Sequence, residues 1–207
     1  NPDYTEYKKQ YEALKLSFNP IGFNPEKWAA AARNAGMKYV VFTTKHHDGF
    51  SMFDTKLTDY RITDPQCPFS VNRRHVNYSI PDYPERWEKF VDFTHGQIME
   101  LLGGDYGRID ILWLDGGWVR KMTDEEVLKY RMAQGNKMTR VQNQDIRMDE
   151  LVAKAREKQP GLIVVDRAVY GKNQNYLTPE NRVPEKALPY PWESCIIAGG
   201  GWAWVPD

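Results

Sequence analysis

The sequence is poor in cysteine and has no long apolar run, and both shortages exclude classes of protein. Its two cysteines, Cys67 and Cys195, are too few for a disulfide framework in a chain of 207 residues. Neither lies in a C-x-x-C motif, so we expect no cysteine-based metal site. No run of 18 apolar residues is present, so no membrane span is expected. No signal peptide is recognisable either.

The sequence also lacks an excess of charge of either sign. Its 28 basic and 28 acidic residues cancel, which gives no electrostatic reason to expect a nucleic acid or an anionic membrane as partner. Aromatic residues, by contrast, make up 13% of the chain, with seven Trp and twelve Tyr. Many should lie in the core, but Trp and Tyr are also typical of sugar-binding clefts, because the C–H faces of pyranoses pack on aromatic rings.

Three times along the chain, a predicted helix is followed by a short apolar strand. The first helix has Asn24 as its N-cap, Pro25 as its first residue and Gly36 as its stop. Its strand, at 38–44, is rich in β-branched residues, as expected of a strand buried on both faces. The other predicted elements are a lead-in helix or turn-rich segment at 5–16, helices at 84–102 and 148–158, and strands at 109–114 and 162–165.

Polar residues follow each predicted strand, which favours a parallel α/β fold. In a TIM-type (β/α)8 barrel the active site gathers at the carboxyl ends of the strands. His46, His47, Asp115 and Arg167 hold that position after the three strands. Three strands cannot close a barrel of about 250 residues, so we predict a (β/α)8-like barrel that is incomplete in this chain. An open doubly wound sheet is the alternative, although no Gly-x-Gly-x-x-Gly loop follows a strand.

The histidines and acids near the strand ends are the candidates for chemistry. His46 and His47 can both reach a cleft if the following Asp-Gly pair makes a turn, although a buried histidine is more often structural. Asp115 has the surroundings of a nucleophile or base, or else caps a helix. Glu180 and Glu193 lie in aromatic, proline-rich loops and are either surface residues or half of the carboxylate pair that glycoside hydrolysis needs.

Three motifs make the sequence resemble family 29 of the glycoside hydrolases, the α-L-fucosidases, over nearly all of its length. They are Lys-His-His-Asp-Gly-Phe at 45–50, Trp-Leu-Asp at 113–115 and Trp-Glu-Ser-Cys at 192–195. The resemblance implies a retaining exo-α-L-fucosidase that acts on fucosylated oligosaccharides or glycoconjugates without a metal or organic cofactor. It also implies a secreted, periplasmic or lysosomal location.

The resemblance assigns roles to residues position by position. Asp115 matches the catalytic nucleophile, and Glu180 best matches the acid/base, because it follows Arg167 by 13 residues and Pro179 fixes the backbone before it. Glu193 is the second candidate for the acid/base. The residues implied to bind fucose are His46, His47, Trp113, Arg167 and Trp202.

The chain departs from the family pattern at three places. The N-terminal start, a segment near 74/75 and the C-terminal end are expected to be missing from a partial catalytic barrel domain that covers 1–207. An open barrel leaves apolar strands uncovered. These departures therefore put the catalytic activity of the isolated chain in question. The alternative function is a non-catalytic fucose-binding protein or a degenerate relic of the same fold.

Overall fold

A computed structural model describes residues 4–18, 21–62, 78–116, 119–133, 141–167, 171–197 and 199–202. The chain divides into two compact units, 1–73 and 74–207. The first contains α1 (Tyr4–Ala13), a short 3-10 helix (Leu14–Leu16) and α2 (Pro25–Asn34). The second contains α3 (Pro84–Leu101), β1 (Ile111–Leu114), α4 (Asp124–Ala133), α5 (Met148–Lys158) and β2 (Ile163–Asp166). None of the helices in these ranges combines the length and apolar character needed to cross a membrane.

Helix α2 begins and ends as the sequence predicts. The Asn24 side chain accepts a hydrogen bond of 2.8 Å from the backbone N–H of Lys27, and Pro25 is the first helical residue. Gly36, just beyond the end, has a φ of 75°, a left-handed conformation that glycine adopts without strain. The same unit has a small buried core in the loop at 50–62, which includes Ser51, Phe53, Thr55 and Tyr60.

The predicted strand at 38–44 is wrong. The backbone of 37–43 forms no regular element, and four apolar side chains in it are between 50% and 75% exposed: Tyr39, Val40, Val41 and Phe42. A strand is defined by hydrogen bonds to a neighbour, and none of the described strands pairs with this run. The composition indicates a strand buried on both faces, but composition does not supply the partners that such a strand needs.

In the second unit, β1 and β2 form a parallel pair, and the connection between them contains α4 and α5. Ile111 pairs with Ile163 and Leu114 with Asp166. Helix α5 buries one face, with Met148, Leu151, Val152 and Ala155 at the i, i+3, i+4, i+7 spacing of an amphipathic helix. With α3 and the two strands, this face forms a core that contains Trp87, Val91, Ile98, Leu102, Leu112, Ile146, Leu162 and Val164.

The second unit confirms most of the predicted elements but does not show the predicted incomplete (β/α)8-like barrel. Helices α3 and α5 and both strands lie within one or two residues of their predicted bounds. Helix α3 buries Trp87, Val91 and Ile98, whereas its Phe90 is 37% exposed. The sheet found in the described residues has two strands, so no barrel is seen there. The predicted gap near 74/75 lies outside the described residues.

Candidate active site

The register of the two strands places Asp115 and Arg167 side by side. Leu114, the last residue of β1, pairs with Asp166, the last residue of β2, so Asp115 and Arg167 are the next residues at the same edge of the sheet. The Nε of Arg167 lies 3.4 Å from Oδ1 of Asp115. This edge is where parallel α/β folds place their functional groups, and the sequence located both residues there.

Arg167 also forms an ion pair with Glu180, through Nη2 and the carboxylate Oε2. The Arg167 side chain is 12% exposed, whereas those of Asp115 and Glu180 are 50% and 44% exposed. Burial by itself would lower the pKa of Arg167, but the two carboxylates outweigh it and raise that pKa above its ordinary value. The guanidinium therefore stays charged, and it holds two solvent-accessible carboxylates close to one another.

Trp113 connects Arg167 to the second candidate acid. The guanidinium carbon of Arg167 lies 5.0 Å from the centroid of the Trp113 ring, within the range of a cation–π contact. The indole Nε1–H of Trp113 donates a hydrogen bond of 2.5 Å to Oε1 of Glu193. Sequence reasoning placed Trp113 at the site but missed this hydrogen bond, because the two residues are 80 positions apart.

Glu180 and Glu193 are carried by two short segments that run in parallel. Leu177 bridges with Trp192 and Glu180 with Cys195. The backbone N–H of Glu193 donates to the carbonyl of Leu177 at 3.0 Å, and the N–H of Cys195 donates to the carbonyl of Pro179 at 3.2 Å. These backbone bonds fix both acids relative to each other although neither segment is a regular strand.

Cys195 is a further neighbour of Arg167 that the sequence did not single out. Its Sγ lies 3.8 Å from Nη1 of Arg167. Burial raises the pKa of the Cys195 thiol, while the guanidinium opposes that rise. The thiol is therefore held in its neutral form, as a polar neighbour of the guanidinium.

His46 and His47 lie in the first unit, and both are exposed. Their rings are 4.6 Å apart in an edge-to-face arrangement. The predicted turn after them is present, since Oδ1 of Asp48 accepts a hydrogen bond of 3.1 Å from the backbone N–H of Phe50. His46 and Asp48 help to line a recess of about 390 Å³. The role of both histidines in binding fucose stays a prediction.

Trp202, the last of the predicted site residues, is 62% exposed, and its contact with fucose stays a prediction. In the part of the chain that the structure describes, no group of three or more His, Cys, Asp or Glu side chains is arranged to hold a metal ion.

The family model described as alpha-L-fucosidase matches residues 1–72 and 68–207 of this chain. Alpha-L-fucosidase 1 of Arabidopsis thaliana is 28% identical over 118 residues, which cover 48% of this chain and 23% of that protein. Tissue alpha-L-fucosidase of Homo sapiens is 24% identical over 149 residues, which cover 56% of this chain and 32% of that protein. The chain thus matches a third or less of the length of these relatives.

Solved structures share the fold over most of this chain. Alpha-L-fucosidase isoenzyme 1 from Paenibacillus thiaminolyticus superposes with a TM-score of 0.66 and 29% identity, over 91% of this chain and 52% of that one. The GH29 alpha-L-fucosidase from Bacteroides thetaiotaomicron gives a TM-score of 0.64 at 20% identity, over 91% and 48%, and so shares the fold. With the family model matched along its length, the chain belongs to the alpha-L-fucosidase family.

Proposed function

We propose that the protein is a retaining exo-α-L-fucosidase that hydrolyses terminal α-L-fucosides of oligosaccharides or glycoconjugates. The observation that carries this proposal is the contact of one guanidinium, that of Arg167, with both Asp115 and Glu180. Retaining glycosidases need two carboxyl groups about 5–5.5 Å apart, one on each side of the scissile bond. Two half-exposed carboxylates that share one partly buried cation are candidates for that pair.

In the first step, the carboxylate of Asp115 attacks the anomeric carbon of fucose. The bond between that carbon and the glycosidic oxygen breaks, and Glu180 donates its proton to the departing oxygen. The products of this step are the free aglycone, a fucosyl ester on Asp115 and an ionised Glu180. The role of Glu180 as the acid is supported by its place on a segment separate from the strand that leads to the nucleophile.

In the second step, Glu180 takes a proton from water, and the water oxygen attacks the same anomeric carbon. The ester bond to Asp115 breaks, which releases α-L-fucose and restores both carboxyl groups. Two inversions at one carbon give net retention. Because every step is a proton transfer or a fucosyl transfer between side chains, sugar and water, the proposed reaction needs no organic cofactor.

The remaining site residues are proposed to bind the sugar. Arg167 is a charged hydrogen-bond donor in contact with both acids, and the ring of Trp113 provides an apolar wall beside it. His46 and His47 are proposed to bind fucose hydroxyls, since the imidazole ring offers both a donor and an acceptor. Trp202 is proposed to pack against the apolar side of fucose near its methyl group.

One observation favours the alternative, a fucose-binding protein without turnover. The run at 39–42, which is apolar enough for a barrel strand, is exposed in this chain. A site in an open barrel can keep its sugar contacts while it loses the water exclusion that catalysis needs. Binding of L-fucose without hydrolysis of an aryl α-L-fucoside would support this alternative.

The stereochemistry of the first-formed sugar tests the proposed mechanism. Proton NMR during hydrolysis of an aryl α-L-fucoside should show α-fucose first, with β-fucose appearing only through mutarotation. The experiment is run on the 207-residue chain and on the product of the longest reading frame that contains it. Asp115→Asn should abolish turnover in the active form. Initial release of β-fucose would contradict the assignment of Asp115 as a nucleophile.

A further inference from the structure

The candidate site contains a second acid, Glu193, whose position differs in kind from that of Glu180. Oε1 of Glu193 accepts a hydrogen bond of 2.5 Å from the indole Nε1–H of Trp113. Its backbone is fixed as well, because its N–H donates to the carbonyl of Leu177 at 3.0 Å. Both ends of this residue are thus anchored, one to a neighbouring segment and one to the strand that leads to Asp115.

Trp113 connects Glu193 to Arg167. It lies in β1, two residues before Asp115, and its ring lies 5.0 Å from the guanidinium carbon of Arg167. An indole can tilt about two side-chain torsions, and a hydrogen bond at its nitrogen fixes that tilt. Since the guanidinium contacts Asp115 and Glu180 in turn, the orientation of the ring bears on the placement of both carboxylates.

We propose that Glu193 is a positioning residue that holds the Trp113 ring beside Arg167, and that it is not the acid/base. The inference rests on the proposed function, because it names the division of labour between the two acids of that site. It removes the ambiguity between Glu180 and Glu193 that the sequence leaves open.

The chemistry of the hydrogen bond supports this division. The indole N–H is a donor only, so it pairs with the oxygen of a carboxylate that is acting as an acceptor. The acid/base of a retaining glycosidase must instead face the nucleophile across the sugar, with the two carboxyl groups about 5–5.5 Å apart. Glu180 shares the guanidinium of Arg167 with the proposed nucleophile, whereas Oε1 of Glu193 accepts a hydrogen bond from the indole of Trp113.

A kinetic test uses two substitutions at 193 and a matched control. Glu193→Ala should lower kcat/KM by about ten- to a hundredfold, as expected when a charge-assisted hydrogen bond is lost from a site. The loss should be the same for aryl fucosides with good and poor leaving groups, because no proton transfer is removed. Glu193→Gln should recover most of it, since an amide oxygen accepts the same N–H. Glu185→Ala removes an exposed acid from the same region and is the control.

A double substitution separates action through Trp113 from direct action. Trp113→Phe keeps an aromatic ring but removes the N–H donor. If Glu193 acts through that donor, adding Glu193→Ala to Trp113→Phe should lower kcat/KM by less than about threefold more. The basic limb of the pH profile of kcat/KM should persist in Glu193→Ala, because the acid/base is still present.

A spectroscopic reading tests the contact without reference to turnover. In a ¹H–¹⁵N spectrum, the indole resonance that Trp113→Phe removes is that of Trp113. Its proton shift should move upfield in Glu193→Ala, stay near the wild-type position in Glu193→Gln and be unchanged in Glu185→Ala. An indole resonance that does not move in Glu193→Ala would overturn the positioning role and leave the proposed function standing.

Two kinetic results would also overturn it. They are a loss of the basic limb in Glu193→Ala, and formation of α-fucosyl azide by Glu193→Ala in azide when Glu180→Ala forms none. If the wild-type protein hydrolyses no fucoside, the proposed function fails, and the positioning role is judged by L-fucose affinity. A weaker affinity in Glu193→Ala that Glu193→Gln restores supports the role, and an unchanged affinity refutes it.

Discussion

Substitution of Arg167 by alanine removes the group on which the candidate active site is centred. The change deletes the ion pairs with Asp115 and Glu180 and the contact with the Trp113 ring. It leaves two carboxylates near each other without the cation between them. The exposure of Asp115 and Glu180 determines whether the substitution mainly lowers stability or mainly lowers activity.

The stability cost should be modest. The two carboxylates are 50% and 44% exposed, so solvent screens each ion pair with Arg167 to about 0.2–1 kcal/mol. The cation–π contact with Trp113 adds about 0.5–1 kcal/mol. The loss in free energy of unfolding should therefore be roughly 1–3 kcal/mol, which is a shift within the range of ordinary point mutations.

The catalytic cost should be larger in its measurable effect. If the guanidinium orients the nucleophile or binds the sugar in the transition state, loss of a charged hydrogen bond costs about 1.5–3 kcal/mol, or about 10- to 150-fold in kcat/KM. Arg167→Lys keeps a charge but loses the planar fork that reaches both acids. It should restore most of the stability and little of the activity.

The assay combines urea unfolding with kcat/KM on an aryl α-L-fucoside. Arg108→Ala is the control, because Arg108 forms an ion pair of 2.8 Å with Asp110 in which both side chains are well exposed. It should change neither quantity appreciably. A kcat/KM of Arg167→Ala within threefold of the wild type would refute the placement of Arg167 at the centre of the site. A loss of more than about 4 kcal/mol in stability would instead make it a structural residue.

Two other predictions concern the first unit. Burial lowers the pKa of Lys45 from 10.5 to about 8. Between these two pH values the unfolded chain binds more protons than the folded chain, so the free energy of unfolding should rise with pH from about 8 to 10. Lys45→Met should abolish that rise in urea unfolding measured across the window, and a rise of the same size in the variant would refute the assignment. The exposed run at 39–42 should bind a hydrophobic dye, and Val40→Lys, at a side chain that is 75% exposed, should reduce the dye signal at a stability cost within about 0.5 kcal/mol. A cost above about 2 kcal/mol would show that Val40 is buried in the folded chain.

The elements that the sequence predicted well are those whose signals are local. Helix α5 has an apolar face at helical spacing and is followed by Pro160 and Gly161, so both its extent and its end can be read from adjacent residues. Helix α4 was missed because the structure buries none of its residues and its sequence has no apolar stripe. Its start was nevertheless encoded by a capping box, in which Thr123 and Glu126 exchange side-chain-to-backbone hydrogen bonds of 2.7 and 3.2 Å.

The features that the sequence could not predict depend on distant partners. The run at 38–44 has the composition of a buried strand, but a strand exists only where another chain segment pairs with it. At the site, the strand-end rule located Asp115 and Arg167 because it depends on the order of elements. The hydrogen bond from Trp113 to Glu193 depends on how two irregular segments lie, and no periodicity describes that.

The pairing of Leu114 with Asp166 has a consequence for how this family can vary. Asp115 and Arg167 meet because each follows a paired strand end, and their neighbourhood does not depend on how many residues separate them along the chain. Insertions and deletions in the connection between β1 and β2 can therefore accumulate without parting the two side chains, provided that the ladder itself is kept. Loss of a single residue from within β2 would part the two side chains, because it would exchange the side chains of that strand between the two faces of the sheet. Loss of many residues from the connection would not have this effect. Length polymorphism among relatives should accordingly concentrate between the strands and be rare inside them.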